Sequence, residues 1–284
     1  MLRLTERDKA LIVKSSLCRW LTTSQVQRLY FPAATVNAVQ KRLRKLSEEG
    51  YLRTHREDLL SEAIHTVGPK GKAIAEVKGV EVAAGSEVPR QIAHLRGVND
   101  IRIAVETGSV RIAYFFAHWQ LANLGWSHPV IPDAIFALRL PERRTFAVEY
   151  DRLTETFEVL VSKLSTYGDG LPGFAFEAVV IVTERNRRLD LLVREIRKRN
   201  VTVRVLASTL AELETTSMFD CMFLELPQGE HRRILETSKY GRRRGRYRGV
   251  ENVAFCCFPS TSSPFVLSSR EERTLLLSYV FRAA

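Results

Sequence analysis

Three carboxylates are the residues best placed by type and spacing to do chemistry. Asp133 follows Pro132 directly, and Glu149 and Asp151 close the stretch Thr145–Asp151. Between them lie an apolar run and a turn at Pro141-Glu142-Arg143-Arg144, so the segment 132–151 reads as a strand hairpin. Alternation puts Phe146, Val148 and Tyr150 on one face of the second strand, and Ala147, Glu149 and Asp151 on the other. A hairpin centred on Glu142 sets Asp133 opposite Asp151 and diagonal to Glu149. Opposed Cβ atoms sit about 5 Å apart and diagonal ones about 7–8 Å. Carboxylates that close repel one another unless a cation or basic side chains hold them. In one reading Asp133, Glu149 and Asp151 form a divalent-metal site. In the other reading the carboxylates form a charged rim, Asp151 paired with Arg152 or Lys163 and Glu149 with Arg139 or Arg143.

The surrounding pattern supplies a scaffold. Thr154–Tyr167 has helical spacing, with Phe157, Leu160, Val161, Leu164 and Tyr167 inward and Lys163 at the edge of that face. Phe174–Thr183 is a nearly continuous apolar strand, as expected where both faces are covered. A basic helix over Arg185–Asn200 and a strand over Val201–Leu206 follow, giving an α/β sheet with helices on its faces. Upstream, Arg90–Thr107 reads as a helix carrying His94, whose expected role is packing or capping. Val110–Phe116 is strand-like but could extend a helix, and Trp119 and Trp126 bracket a loop. The run Gly168-Asp169-Gly170-Leu171-Pro172-Gly173 matches a dinucleotide pattern, but it follows a helix and precedes a strand, the reverse of the phosphate-binding order. It reads as a helix-to-strand turn.

The first eighty residues have a different rhythm. Thr5 with Asp8, and Thr22 with Gln25, have capping-box spacing and open two helices. A third helix, about Ala34–Glu49, ends at Gly50. It has Val36, Val39, Leu43 and Leu46 on one side and Asn37, Lys41, Arg44 and Lys45 on the other. A strand over Tyr51–His55, a polar tip and a strand over Ala63–Val67 follow. Three helices and a hairpin are the winged helix-turn-helix order, in which Asn37, Lys41, Arg44 and Lys45 suit base edges and phosphates of double-stranded DNA and Arg53 lies on the wing. Glu81–Pro89 reads as a linker.

Charge is distributed to match. The net charge is +11 over 284 residues. Residues 1–80 carry 15 basic and 8 acidic side chains, residues 81–230 carry 17 and 20, and residues 231–284 carry 11 and 4. Basic ends around a mildly acidic middle suggest nucleic-acid contact at the ends. No apolar run approaches the roughly 18 residues of a membrane span, and the first residues are not a signal sequence. The four cysteines, Cys18, Cys221, Cys256 and Cys257, have no zinc or disulfide spacing, so a reducing cytoplasm is expected. From Gln228 the pattern dissolves into a basic tail, with Lys239–Gly249 mixing Arg, Gly and Tyr in the manner of disordered nucleic-acid-binding segments.

Three passages resemble the plasmid replication-relaxation family. They are Leu4-Thr5-Glu6-Arg7-Asp8 with Phe31-Pro32 and Gln40–Leu46; His94 with Val98-Asn99-Asp100-Ile101; and Pro132-Asp133-Ala134 with Glu149-Tyr150-Asp151-Arg152 and Lys163-Leu164-x-x-Tyr167. The resemblance covers roughly residues 1–210. It implies an α/β protein, α+β overall, with a winged-helix DNA-binding domain over 1–80 and a PD-(D/E)XK nuclease-like domain over 88–227, and it leaves out the basic tail over 228–284. Such proteins act in the replication or mobilisation of plasmids and other mobile elements, alongside replication or mobilisation proteins. In the nuclease pattern Asp133 and Glu149 are the Mg²⁺ ligands, and Asp151 stands where a lysine is usual. Lys163 is the side chain able to supply that charge. Winged-helix proteins often pair as homodimers, although no heptad pattern here encodes one. A DNA-binding protein and a Mg²⁺-dependent DNA endonuclease both remain open.

Overall fold

The computed structural model describes residues 2–56, 61–78, 80, 92–139, 144–152, 155–168, 176–199 and 201–236. The expected linker over 81–89, most of the glycine run after Gly168 and the Arg-Gly-Tyr segment lie outside these residues.

The first helix, α1 (Glu6–Leu17), starts where its capping box dictates: Thr5 accepts from the Asp8 amide while the Asp8 carboxylate accepts from the Thr5 amide. Thr22 and Gln25 do the same for α2 (Thr23–Tyr30), just after the two-residue strand β1 (Leu21–Thr22). Helix α3 (Val36–Glu48) buries Val39, Leu43 and Leu46, whereas Val36, expected on the same face, is exposed in the first turn. Strands β2 (Leu52–His55) and β3 (Ile64–Val67) pair antiparallel, and β1 adds to the free side of β3. Helix α4 (Pro69–Val77) then packs against α1.

The rest of the described chain is built on one seven-stranded mixed sheet. Helix α5 (Ile92–Glu106) leads into β4 (Ile112–Ala117), which resolves the strand-or-helix ambiguity at 110–116 in favour of a strand. Next come α6 (His118–Asn123), β5 (Ala134–Leu138), β6 (Arg144–Asp151), α7 (Phe157–Gly168), β7 (Ala178–Thr183), α8 (Asn186–Lys198), β8 (Val205–Thr209), α9 (Leu210–Thr215), β9 (Phe223–Leu226) and β10 (Glu230–Arg232). The order across the sheet is β10-β9-β8-β7-β6-β5-β4, with β6, β7 and β8 parallel and the outer pairings antiparallel. The fold is α+β. All six residues of β7 are buried, as its unbroken apolar run requires of a central strand covered on both faces. Phe146, Val148 and Tyr150 join a core shared with α5, and Ala147 joins a second core beneath α7 and α8.

Two expectations need correction. Ala134 pairs with Val148 and Leu138 with Arg144, so the β5–β6 register is two residues away from a hairpin centred on Glu142. Continuing it brings Asp133 level with Glu149 rather than Asp151. The sheet also runs past residue 227: Gly229, at φ +81°, turns the chain so that β10 pairs with β9. The sequence Glu230-His231-Arg232 is a charged edge with no apolar alternation to signal a strand.

The basic N-terminal part is not a separate bead. Trp20 and Ile64 lie in the sheet's main core. The buried Asn99 amide donates to the carbonyls of Cys18 (3.2 Å) and Trp20 (3.0 Å), and Asp100 accepts from Gln25 (3.0 Å) and Arg28 (2.9 Å). Burial raises the Asp100 pKa to about 6, against the pull of those two donors. No helix among the described residues is long and apolar enough to cross a membrane.

Candidate functional site

The odd-numbered face of β6 carries Glu149 and Asp151 inward beneath α7 and α8, and both are buried. Each meets its own cation. Arg188 of α8 forks onto Asp151, with Nε 2.5 Å from Oδ2 and Nη2 3.3 Å from Oδ1. Nη2 also donates to the Glu155 carbonyl (2.9 Å), and the guanidinium lies 3.7 Å from the centre of the Phe157 ring. Lys163 of α7 donates to Glu149 (3.1 Å) and to Glu155 (2.9 Å), and the Tyr167 hydroxyl donates to the other Glu149 oxygen.

The rim reading thus had the right kind of contact with the wrong partners. Asp151 takes Arg188, not Arg152, which pairs with Glu184 at 3.5 Å. Glu149 takes Lys163, not Arg139, which is exposed at the end of β5; Arg143 lies outside the described residues. Burial, and then the charge on Asp133, push the Glu149 pKa up to about 8, while Lys163 and Tyr167 pull the other way. Burial works against the Lys163 ammonium too, but the Glu149 and Glu155 carboxylates outweigh it and hold its pKa above the usual lysine value.

Asp133 belongs to a different neighbourhood. Its Oδ2 accepts from the Tyr150 amide (2.7 Å) and its Oδ1 contacts His94 Nε2 (2.9 Å). His118, the first residue of α6, donates its amide to the Asp133 carbonyl (2.8 Å), which ties the end of β4 to the start of β5. One ligand atom from each of His94, His118 and Asp133 lies within 4.8 Å of the other two. Burial lowers the His118 pKa, against the pull of the Asp133 carboxylate. Gly97, one turn beyond His94 on α5, is what lets the Tyr150 ring pack there, since a Cβ on it would fall 2.0 Å from the ring. His118 lies between the strand-like run 110–116 and the loop bracketed by Trp119 and Trp126, and beyond that position nothing in the sequence singles it out.

As they stand, the three predicted carboxylates do not fit one Mg²⁺ ion. A hard cation needs several oxygens free to converge on it. Here Asp151 is held by a guanidinium, Glu149 by an ammonium and a phenol, and Asp133 by an imidazole and an amide.

The second set of predicted residues lies on α3. Asn37, Lys41, Arg44 and Lys45 are all exposed, and Arg53 is exposed on the adjacent β2. Among the described residues no ion pair engages Lys41, Arg44 or Lys45. Arg42, by contrast, turns back to the buried Asp8 and braces α3 against α1.

Fold and sites together define an α+β protein with an exposed cationic helix and a sheet whose carboxylates are each held by separate side-chain partners. The replication-relaxation family matches residues 17–171, more than half of the chain, and the chain belongs to that family. Neither a curated protein nor a solved structure matches it significantly.

Proposed function

We propose that this chain is a double-stranded-DNA-binding protein serving the replication or mobilisation of a plasmid or another mobile element. Helices α1–α3 and the β2–β3 hairpin are read as a winged helix, with α3 as the helix that enters the major groove. One observation carries the reading: α3 turns Asn37, Lys41, Arg44 and Lys45 to solvent, and among the described residues none of the three cations is in an ion pair. Three exposed cations on one helical face attract a polyanion, and Asn37 supplies a side chain able to read an adenine edge. Membership of the replication-relaxation family supports the biological setting.

The test is retention of an origin fragment by full-length protein. Replacing Asn37, Lys41 and Arg44 with alanine should weaken retention by about 100-fold or more at physiological salt. The slope of log affinity against log salt should fall by about one for each lost phosphate contact. Asp133→Ala should bind like the wild type. A triple variant that retains the fragment with unchanged salt dependence would overturn the reading.

A Mg²⁺-dependent endonuclease is the second reading, favoured by one contact: Lys163 reaches Glu149 from the next helix, close to where the nuclease pattern needs a cation. It requires Asp133, Glu149 and Asp151 to exchange their partners for metal. Supercoiled plasmid incubated with Mg²⁺ or Mn²⁺ decides it. Nicking that disappears in Asp133→Ala and Glu149→Ala supports the enzyme, and no nicking with either metal removes it.

A further inference from the structure

We infer that His94, His118 and Asp133 form a binding site for one divalent transition-metal ion, best matched by Zn²⁺, with a coordination position left to solvent. The inference does not depend on DNA binding and does not use Glu149 or Asp151. Its basis is the convergence of three separate elements on one point. His94 comes from the first turn of α5, His118 opens α6, and Asp133 precedes β5, yet one ligand atom of each lies within 4.8 Å of the others. Two imidazoles and a carboxylate are a donor set for Zn²⁺ and its neighbours rather than for Mg²⁺ or Ca²⁺.

The geometry needs little adjustment. Zn²⁺ takes nitrogen and oxygen ligands at about 2.0–2.2 Å, so tetrahedral ligand atoms lie about 3.3–3.6 Å apart. Closing the trio onto an ion therefore asks for side-chain rotations of about an ångström. The His94–Asp133 contact, 2.9 Å long, is shorter than that spacing and opens by about half an ångström to admit the ion. On metal binding the imidazole takes the tautomer with its hydrogen on Nδ1, which leaves the Nε2 lone pair for the ion.

Three further features separate this trio from a chance surface cluster. The His118 Nδ1 atom is buried without a hydrogen-bond partner among the described residues, and the ring also lies against the backbone of Asp133. Buried polar atoms are rarely left so, and a ligand is a common reason when they are. Asp133 is aimed by the Tyr150 amide at 2.7 Å, the kind of outer contact that orients a ligating carboxylate. The site is also reachable: the side chains of His94 and Asp133 are 21% and 18% exposed. Three protein ligands and an open position are the arrangement of a zinc ion that keeps a water.

Full-length protein stripped with a chelator is titrated calorimetrically with Zn²⁺, and with Co²⁺ as a visible-absorption probe. The expected result is one high-affinity equivalent, with a Co²⁺ spectrum of nitrogen and oxygen ligation and no thiolate charge-transfer band. His118→Gln and Asp133→Asn should each weaken binding by more than about 100-fold, beyond the 10–100-fold typical of outer-sphere changes. A Cys256→Ser/Cys257→Ser variant should bind as the wild type does. Melting in chelator verifies that each variant is folded, and the wild-type Co²⁺ spectrum stands even if one is not. A thiolate band, the absence of a high-affinity equivalent, or undiminished binding by folded His118→Gln would overturn the site.

Discussion

Arg188→Ala should cost about 3–5 kcal/mol of unfolding free energy, the loss expected when one member of a buried, hydrogen-bonded ion pair is removed. Asp151 and Arg188 are each 7% exposed, so water cannot take over the role of the guanidinium. The truncation removes both bonds to the carboxylate, the bond to the Glu155 carbonyl and the stacking on Phe157. Arg188→Lys should recover only part of the loss, because an ammonium cannot make the two-pronged contact or stack flat on the ring. Lys198→Ala, on the same helix, breaks an exposed pair with Glu195 and should cost at most about 1 kcal/mol. Urea denaturation of the three variants at neutral pH measures the differences. An Arg188→Ala loss no larger than that of Lys198→Ala would mean that the pair contributes little to holding α8 on the sheet.

What could be read from the sequence was what local physics encodes. Thr5 with Asp8 and Thr22 with Gln25 cap within four residues, so their hydrogen bonds are written in the spacing. The alternation from Thr145 to Asp151 correctly sorted Glu149 and Asp151 onto the face opposite Tyr150, and the apolar run of β7 correctly announced a central strand. Register was less accessible. It depends on the conformation of the residues between β5 and β6, and a two-residue displacement keeps every side chain on its face while changing which residues are level. For that reason the faces were right and the opposition of Asp133 to Asp151 was not.

Ion-pair partners were the least legible part. Arg188 lies 37 residues beyond Asp151 on a helix rich in arginine, and nothing in its local spacing distinguishes it from Arg187 or Arg194. Lys163 was recognisable because it sits at the edge of an otherwise apolar face, so a helix that buries Leu160, Leu164 and Tyr167 must carry it towards the sheet. His118 had no such pattern. The contacts of α5 with the N-terminal helices were equally hidden, because Asn99 and Asp100 on a mostly apolar helix do not disclose whether they face water or another element. In the structure they hold α2 and β1 against the sheet, so the cationic face of α3 and the His94 neighbourhood are carried on one continuously packed body.

The stability of that body should fall as pH rises from about 4.5 to about 8, and Glu149→Gln should remove much of the fall. The Glu149 pKa is raised from its ordinary 4.5 to about 8, first by burial and then by the charge on Asp133. The folded state therefore holds a proton on this group that the unfolded chain has released. Where the folded state binds more protons, stability declines with increasing pH, and the decline ends once both states are ionised. At about 1.4 kcal/mol per unit of pKa difference, the window is worth a few kcal/mol. Glutamine keeps the shape and can still accept from the Tyr167 hydroxyl, while Lys163 keeps Glu155. Near pH 5, where Glu149 is largely neutral in the fold, the variant should lie within about 1 kcal/mol of the wild type, the scale of one hydrogen bond. Near pH 9 it should be the more stable of the two. Asp100, raised to about 6, and His65, lowered by burial to about 4, titrate in both proteins and cancel in the difference. Denaturation curves at intervals from pH 5 to 9 provide the measurement. Parallel stability profiles would mean instead that Glu149 ionises at its ordinary pKa and that its contact with Lys163 is a fully charged pair throughout.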